Sequence, residues 1–220
     1  ADLHYGPYIR AGSIAAWVDA TLELAPDLIV LGGDMVDYLA PDDIAPLLDQ
    51  LARLQAPLGV YAVWGNQDYA RYPDPAARRR YEDALEGAGV VMLLNRGVTL
   101  RDDLYLGGTD SDRVGPNRMR RTIEGRPPAA ACVLATHKPR MLPNVPPDVD
   151  VTFCGHTHGG QVVLPWIGPV VDRSGLGRDH VAGWVRAPGL GYVSRGLGVT
   201  HVPVRINCPG ELTFATLTPP

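Results

Sequence analysis

Apolar and polar positions along the chain follow two different periods, and together they predict a layered α/β fold. Apolar residues recur at helical spacing in residues 14–22 and 44–54, and a third helix is predicted for residues 75–86, which open with proline. Short apolar runs typical of strands separate and follow these helices. They are residues 28–31, 60–64, 90–94, 104–106, 132–135, 151–154, 191–193 and 212–217. The first half of the chain therefore alternates helix and strand, and the second half is richer in strands and turns.

Side chains typical of metal ligands follow four of these predicted strands, at the point where each strand ends. The chain also begins with Asp-Leu-His, which we expect to follow a further strand upstream. In an α/β sheet, the loops at the carboxyl ends of the strands converge on one crevice, so these side chains are expected to meet. They are Asp2, His4, Asp34, Asn66, His137, His156 and His158.

The types and number of these side chains indicate a site for two metal ions. Carboxylate oxygen and imidazole nitrogen suit Zn, Mn and Fe(II), and the absence of thiolates from the set argues against a structural zinc site. Seven ligands are too many for one tetrahedral ion but enough for two ions that share a carboxylate. Each short motif alone has an ordinary explanation as a turn. The prediction therefore depends on all of them occurring in order.

Composition and charge exclude several classes of function. Of the 220 residues, 45% are apolar and 20% are charged, and the net charge of −4 provides no basic field for nucleic acid. No segment is long and apolar enough to span a bilayer, and no signal peptide is visible. The odd number of cysteines, without a CxxC pair, argues against a disulfide framework. We expect Cys132, Cys154 and Cys208 to be buried thiols.

The ordered motifs DLH, GGDMVD, GNQD, THKP and GHTHGGQ resemble those of the calcineurin-like metallophosphoesterase superfamily. GHTHGGQ, with the tail YVSRGLG…VPVRINCPGELTFATL, resembles its YkuE/YaeI-type branch of bacterial phosphodiesterases. The resemblance implies one domain over residues 1–220 with an α/β fold, a four-layer αββα sandwich of two mixed sheets flanked by helices. It also implies two divalent or mixed-valence ions (Mn, Fe or Zn) and a metal-bridging hydroxide. The expected reaction is that of a phosphodiesterase or pyrophosphatase on a small-molecule phosphoester.

The resemblance assigns the candidate ligands to two ions. The first ion is expected to be held by Asp2, His4 and His158. The second is expected to be held by Asn66, His137 and His156, with Asp34 bridging both ions. Members of this branch often carry an anchor or export signal ahead of the DLH motif. The resemblance therefore predicts a strand and such a signal upstream of Ala1, and a location in or at the bacterial cell envelope. The sequence does not indicate the oligomeric state.

Gln67 departs from the family pattern, in which a histidine follows the asparagine of the GN motif. In the family that histidine lies near the leaving group, so Asn66 and Gln67 are expected in the catalytic region, with Asp37 orienting residue 67. Glutamine donates a hydrogen bond but delivers no proton, and loss of a general acid costs roughly 10²–10⁴ in rate. Three interpretations stay open: hydrolysis with a changed leaving-group preference, replacement of the acid by His180 or His201, or a metal- and phosphate-binding module of low activity.

A few further side chains have both a functional and an ordinary interpretation. Arg140 and Arg195 are candidate phosphate ligands, because guanidinium matches phosphate oxygens in a fork, but a surface ion pair explains them equally well. The arginines at 78–80 are predicted to be a solvated helix face, with anion binding as the alternative. Trp166 and Trp184 are predicted to be core residues, with an apolar entrance to the site as the alternative.

Overall fold

The computed structural model describes residues 1–110 and 116–218. In this part of the chain the helices are α1 Ala11–Glu23, α2 Ala45–Leu51, α3 Asn66–Arg71, α4 Pro75–Gly87 and α5 Pro116–Ile123. The first strands are β1 Ile29–Leu31, β2 Val60–Ala62, β3 Val90–Met92, β4 Arg96–Arg101 and β5 Leu104–Gly108. They are followed by β6 Ala131–Ala135, β7 Val151–Cys154, β8 Val163–Leu164, β9 Gly168–Pro169, β10 Gly183–Arg186 and β11 Leu190–Val193. Three 3₁₀ turns lie at Pro139–Asn144, His158–Gly160 and Arg178–His180.

The strands form two main sheets. The first is parallel, in the order β1-β2-β3, and Ile29 aligns with Val60, which aligns with Val90. The second is mixed, in the order β10-β11-β7-β6-β5-β4. Its central strands β11, β7, β6 and β5 are parallel, and the edge strands β10 and β4 are antiparallel to their neighbours. Strands β8 and β9 form a separate antiparallel hairpin.

The alternation of side chains along the strands separates three apolar cores and defines four layers. Ile29 and Leu31 of β1 pack with residues of α1, α2 and α4, whereas Val30 packs towards the second sheet. Val133 of β6 and Val30 belong to the same core, which lies between the two sheets. Leu134, the neighbour of Val133, packs on the opposite face of the second sheet with α5. The layers therefore run helices, sheet, sheet, helix. The αββα prediction is confirmed.

Helix α4 illustrates why the sequence pattern succeeds for the helices. Asp74 precedes the helix and accepts a hydrogen bond from the Ala77 N–H at 2.8 Å, and Pro75 occupies the first turn. Tyr81 and Leu85, four residues apart on one face, are both buried against the first sheet. Burial of each such side chain is worth about 1.5–3 kcal/mol. The structure confirms the helix predicted for residues 75–86.

Other sequence predictions are wrong. Residues 212–217 form no strand, because this tail finds no neighbouring strand within the described part of the chain; Glu211 N–H instead donates to the Gly196 carbonyl at 2.9 Å. Trp166 is fully exposed and Trp184 is 58% exposed, so neither is a core residue. Strand β4 was not predicted, because as a half-exposed edge strand it lacks a continuous apolar run.

The cysteines and the arginine-rich face of α4 were also assigned from the sequence. Cys132, Cys154 and Cys208 are free and buried. Arg79 and Arg80 are exposed on α4, as predicted for a solvated helix face, whereas Arg78 is half-buried and donates to the Pro73 carbonyl at 2.9 Å. No helix within residues 1–110 and 116–218 is long and apolar enough to cross a membrane.

Candidate metal centre

The structure brings the predicted ligands together at the carboxyl ends of the central strands. Asp34 follows β1, Asn66 follows β2, and His137 follows β6. The amino-terminal segment reaches the same place because it runs alongside residues 33–36, where Asp2 N–H donates to the Gly33 carbonyl at 2.9 Å. The DLH motif is thereby placed directly beside Asp34.

The first group of ligands is buried at this edge of the sheets. Asp2, His4 and His158 each offer one ligand atom, and these atoms lie within 4.8 Å of one another. The Nε2 atoms of His4 and His158 are 3.0 Å apart, and Asp2 Oδ1 lies 3.5 Å from His158 Nε2. Asp2 is held in place by the backbone N–H of His156, which contacts both carboxylate oxygens at 3.1 and 2.9 Å.

The second group lies beside the first, and one carboxylate lies between them. Asp34, His137 and His156 again present ligand atoms within 4.8 Å of one another. Asp34 Oδ2 is 3.2 Å from His137 Nε2 in this group and 3.6 Å from His4 Nε2 in the first. A single oxygen of Asp34 therefore faces both groups, as the bridging role requires.

Hydrogen bonds from the other ring nitrogens orient two of the imidazoles for metal binding. His137 Nδ1 lies 2.8 Å from the Gly32 carbonyl, to which it donates, so Nε2 is the ring nitrogen left to bind a metal ion. His4 Nδ1 lies 3.4 Å from Asp37 Oδ2 in the same kind of arrangement. Carboxylate or carbonyl partners of this kind fix the ring and the tautomer of metal-binding histidines.

Buried polar atoms without hydrogen-bond partners show that the site fits a metal ion. Asn66 Oδ1 and His137 Nε2 are both buried and have no hydrogen-bond partner among the described residues. His137 Nε2 is close to Asp34, but the geometry is not that of a hydrogen bond. A buried polar atom without a partner costs about 1–3 kcal/mol. An imidazole nitrogen beside a buried carboxylate, with an amide oxygen on the next ligand loop, matches the donor set of a hard or borderline cation.

Five of the seven candidate ligands have left-handed backbone conformations. Asp2, His4, Asp34, His156 and His158 have φ angles from 50° to 74°. Such angles are uncommon outside glycine and cost roughly 1–3 kcal/mol each, so they persist where the surroundings impose them, often at functional sites. The loop conformations therefore direct these side chains towards the site at the cost of local backbone strain.

Two glycines are required for this close packing of loops. A Cβ at Gly65 would lie 1.9 Å from Asp34 Oδ1, and a Cβ at Gly33, which has φ +86°, would lie 2.7 Å from His137 Nδ1. Both contacts are closer than real Cβ atoms reach. The small residues before the ligands therefore let the loops approach one another.

The comparison with known families identifies the family of the chain. The profile of the family described as calcineurin-like phosphoesterase matches residues 1–160. The chain belongs to this family. Members are metal-dependent phosphoesterases, and the two ligand groups are the possible metal-binding sites of the present chain.

Individual relatives agree with this assignment. The chain is 28% identical over 235 residues to an uncharacterised metallophosphoesterase, YkuE of Bacillus subtilis, covering 99% of the chain and 77% of the relative. It is also 28% identical to the phosphodiesterase YaeI of Escherichia coli, covering 99% and 80%. Among solved structures, sulfate thiohydrolase SoxB of Thermus thermophilus superposes with a TM-score of 0.50 at 14% identity, covering 86% of this chain and 38% of that one. The last likeness concerns the fold alone.

Gln67, the departure from the calcineurin-like pattern, lies within the centre. It is nearly buried at the start of α3, and its backbone N–H donates to Asp34 Oδ1 at 2.7 Å. Asp37, which was expected to orient residue 67, contacts His4 Nδ1 and accepts from the Leu39 N–H at 2.8 Å. The orienting role of Asp37 towards residue 67 stays a prediction.

The electrostatics of the centre follow from burial and from the carboxylates. Burial alone would lower the pKa of His137, but the adjacent Asp34 carboxylate raises it to about 9. Burial lowers the pKa of His156 to about 3, with help from the charges of His137 and Lys138, and lowers that of His158 to about 4. His156 and His158 are therefore neutral near pH 7, the form that binds metals.

The two candidate phosphate arginines lie near the ligand loops. Arg140 is exposed in the 3₁₀ turn that follows His137. The side chain of Arg195 is 44% exposed, and its Nε lies 3.8 Å from Glu211 Oε2, which is a surface ion pair. Their role in substrate binding stays a prediction.

His180 and His201 differ in a way that bears on the missing acid. The Nδ1 of His180 is buried without a hydrogen-bond partner in the described part of the chain. The segment is joined to the ligand loop, because Thr157 Oγ1 donates to the Val181 carbonyl at 2.6 Å. His201 is exposed. Of the two histidines, His180 is therefore the one whose segment is joined to a ligand loop, and its role as an acid stays a prediction.

Arg205 is a residue of the centre that the sequence did not single out. Its guanidinium is partly buried and donates to the carbonyls of His158 at 3.0 Å and Gly198 at 2.7 Å. It also contacts the carbonyls of Arg195 and Gly196. It thus connects the carboxyl-terminal segment to the GHTHGG loop. An arginine within an otherwise apolar VPVRI run was the only signal in the sequence.

Proposed function

We propose that the chain is a dinuclear metal-dependent phosphoester hydrolase of the phosphodiesterase or pyrophosphatase type. The observation that carries the proposal is the position of Asp34 Oδ2, 3.6 Å from His4 Nε2 and 3.2 Å from His137 Nε2. This oxygen lies between two ligand groups, and the second contains a buried atom, His137 Nε2, that lacks a hydrogen-bond partner in the described part of the chain. The ligand set suits Mn, Fe or Zn.

Two bound ions would supply an activated water and would neutralise the charge on the phosphoryl group. The chain provides the positioning. Asp2, His4 and His158 would hold one ion, Asp34, Asn66, His137 and His156 the other, and Asp34 would fix their separation. The side-chain amide N–H of Gln67 would orient a phosphoryl oxygen, and Arg140 and Arg195 would bind the outer oxygens of the substrate.

The protonation of the leaving group distinguishes this chain from the family pattern. Gln67 delivers no proton, so a leaving group of low basicity departs readily and a basic one departs slowly unless another residue helps. His180 would provide that help. The name of the relative YaeI supports a diester substrate.

The experiment combines elemental analysis of the purified protein with a panel of aryl phosphomonoesters, diesters and triesters. The proposal predicts close to two metal ions per chain and turnover of diesters. Asp34→Asn should lower the metal content and abolish turnover, whereas the matched exposed variant Asp49→Asn on α2 should change neither. Stoichiometric metal without turnover of any ester would support the metal- and phosphate-binding module instead. A metal-free protein that still hydrolyses esters would contradict both interpretations.

A further inference from the structure

An exposed apolar surface lies beside the metal centre, and we call it the apolar rim. It consists of Leu164, Trp166, Ile167, Val202, Val204 and Ile206. Trp166 is fully exposed, Ile167 is 56% exposed and Val202 is 55% exposed. A single exposed apolar side chain is ordinary, but a group this large on two adjoining segments indicates an interaction surface.

Backbone pairing places the two segments of the apolar rim side by side. Strands β8 and β9 form a hairpin whose turn contains Trp166 and Ile167. Val162, just before β8, pairs with Ile206, and the Val163 N–H donates to the Ile206 carbonyl at 2.9 Å. The rim is thus one continuous surface with the tryptophan at a protruding turn.

The apolar rim is fixed to the loop that carries His158. Gln161, three residues after this ligand, is buried, and its side-chain oxygen accepts from the Thr200 N–H at 2.6 Å. Its side-chain nitrogen donates to the carbonyls of Val202 at 3.2 Å and Val204 at 3.4 Å. A partner bound to the rim would therefore lie at a fixed position relative to the metal centre.

The charge around the apolar rim differs in sign from that of the chain as a whole. Residues 155–210 contain five arginines, two aspartates and neither lysine nor glutamate, whereas the whole chain has 20 basic and 24 acidic residues. Arg195 pairs with Glu211, which follows this segment, and Asp172 and Asp179 are exposed. Arg178 and Arg186 are also exposed, and the Arg178 guanidinium donates to the carbonyl of Ile167 in the rim. A locally positive surface with a protruding tryptophan is complementary to an anionic lipid headgroup layer.

We propose that the apolar rim docks onto the surface of an anionic phospholipid bilayer. Trp166 and Ile167 enter the headgroup region, where an amphipathic indole is favoured, and the arginines contact lipid phosphates. A lipid layer deforms around a protruding turn, whereas a protein partner would need a matching cavity. Docking does not depend on hydrolysis. If the proposed function also holds, docking presents the metal centre to phosphoesters at the membrane surface.

The test is co-sedimentation of the 220-residue chain with vesicles of phosphatidylcholine alone or mixed with phosphatidylglycerol. We expect binding to the mixed vesicles, weaker binding without the anionic lipid, and weakening by added salt. The double variant Trp166→Ser/Ile167→Ser should bind at least about tenfold more weakly, since two large apolar side chains no longer enter the lipid. Trp184→Ser is the control, because it removes an exposed tryptophan on β10 that is not part of the apolar rim. It should bind the vesicles as tightly as the parent chain does.

A spectroscopic readout gives an independent result if the double variant folds poorly. Brominated lipids should quench the emission of the parent chain, and Trp166→Phe, which keeps an aromatic ring at the turn, should bind while losing most of that quenching. The proposal is overturned if the chain ignores both vesicle types, or if the folded double variant binds as tightly as the parent. It is also overturned if the chain does not bind vesicles but forms dimers through the rim. Sedimentation would then detect dimers in the parent chain and only monomers in the double variant.

Discussion

The carboxylate of Asp68 accepts a hydrogen bond from the backbone N–H of Asp34 at 2.9 Å, and this contact joins two loops of the metal centre. The same carboxylate accepts from the N–H groups of Gly65, Met35 and Val36 at 2.8–3.2 Å. It is completely buried. Asp68 therefore fixes the separation between the GGD loop, which carries Asp34, and the GN loop, which carries Asn66.

Asp68→Ala should destabilise the protein and disrupt the metal centre. The substitution leaves four buried N–H groups without an acceptor, and one such group alone costs about 1–3 kcal/mol, so we expect the free energy of unfolding to fall by at least about 3 kcal/mol. Urea unfolding monitored by circular dichroism measures the change. Asp49→Ala, on the exposed face of α2, should stay within about 0.5 kcal/mol of the parent chain. An Asp68→Ala protein as stable as the parent would show that the two loops are held by other contacts.

The bridging position of Asp34 predicts an asymmetry between two substitutions. Asp34→Asn should weaken both metal sites, because one of its oxygens faces both ligand groups. His4→Ala should mainly affect the first site, since His4 belongs to that group alone. Elemental analysis after dialysis should give fewer ions per chain for Asp34→Asn than for His4→Ala. Full metal content and activity in Asp34→Asn would refute the dinuclear assignment.

The sequence predicts where the candidate ligands lie because their placement follows from a local rule. A strand end, a glycine and a polar side chain are all visible in the sequence, and parallel strands bring their carboxyl ends together whatever the rest of the chain does. Asp34, Asn66 and His137 are therefore placed correctly without any knowledge of the packing. The layer order is predictable for the same reason, because apolar runs in strands and helices specify which faces are buried.

The parts of the site that the sequence misses depend on contacts between distant residues. Asp68 accepts hydrogen bonds from three consecutive N–H groups, which begin at Asp34, and Arg205 donates to the His158 carbonyl. Neither contact leaves a periodic signal in the sequence. Trp166 was assigned to the core on hydrophobicity alone, but its exposure is set by the hairpin that carries it. Residues 212–217 have strand-like composition, yet a strand also needs a neighbour, which sequence composition cannot supply.

Thiol reactivity should report the burial of the cysteines. Burial raises the pKa of Cys132 to about 11 and raises that of Cys154 well above the ordinary value. Because the thiolate is the reactive form, both should react slowly with a disulfide reagent at pH 8, and labelling of Cys132 should accelerate as the pH approaches 11. The native chain should release little chromophore at pH 8, and the chain in urea should release three equivalents. Rapid release of all three without urea would contradict the buried positions.

His180 and His201 can be separated as proton donors. His180→Asn should slow the hydrolysis of esters with basic leaving groups and leave esters of p-nitrophenol nearly unchanged, because only the former need a proton. The loss should be within the roughly 10²–10⁴ that general acid catalysis provides. His201→Asn, at an exposed position, serves as the matched control and should change neither substrate class. Equal losses for good and poor leaving groups in His180→Asn would indicate a structural role instead.

Gln67 provides the most direct test of how this chain departs from its family. If no other residue supplies the proton, kcat/KM with glutamine at this position should depend steeply on leaving-group acidity: p-nitrophenyl esters should be turned over readily, and alkyl or sugar esters slowly. Gln67→His should increase the rate for the poor leaving groups, by up to about 10²–10⁴. It should also add an alkaline limb to the pH–rate profile, because a histidine acting as an acid must be protonated and titrates near neutrality. Glutamine does not titrate, so the parent chain should lack this limb.

Two results separate proton delivery from hydrogen bonding at residue 67. Gln67→Met, similar in length but without a donor, should slow good and poor leaving groups alike, because it removes only the hydrogen bond to the phosphoryl oxygen. Gln67→His should instead act selectively on poor leaving groups. Equal rates for both ester classes in the parent chain, unchanged by Gln67→His, would mean that the proton comes from elsewhere. His180→Asn in the Gln67→His background then identifies the donor: if His180 supplies the proton in the parent chain, the added histidine should rescue most of the rate that His180→Asn removes.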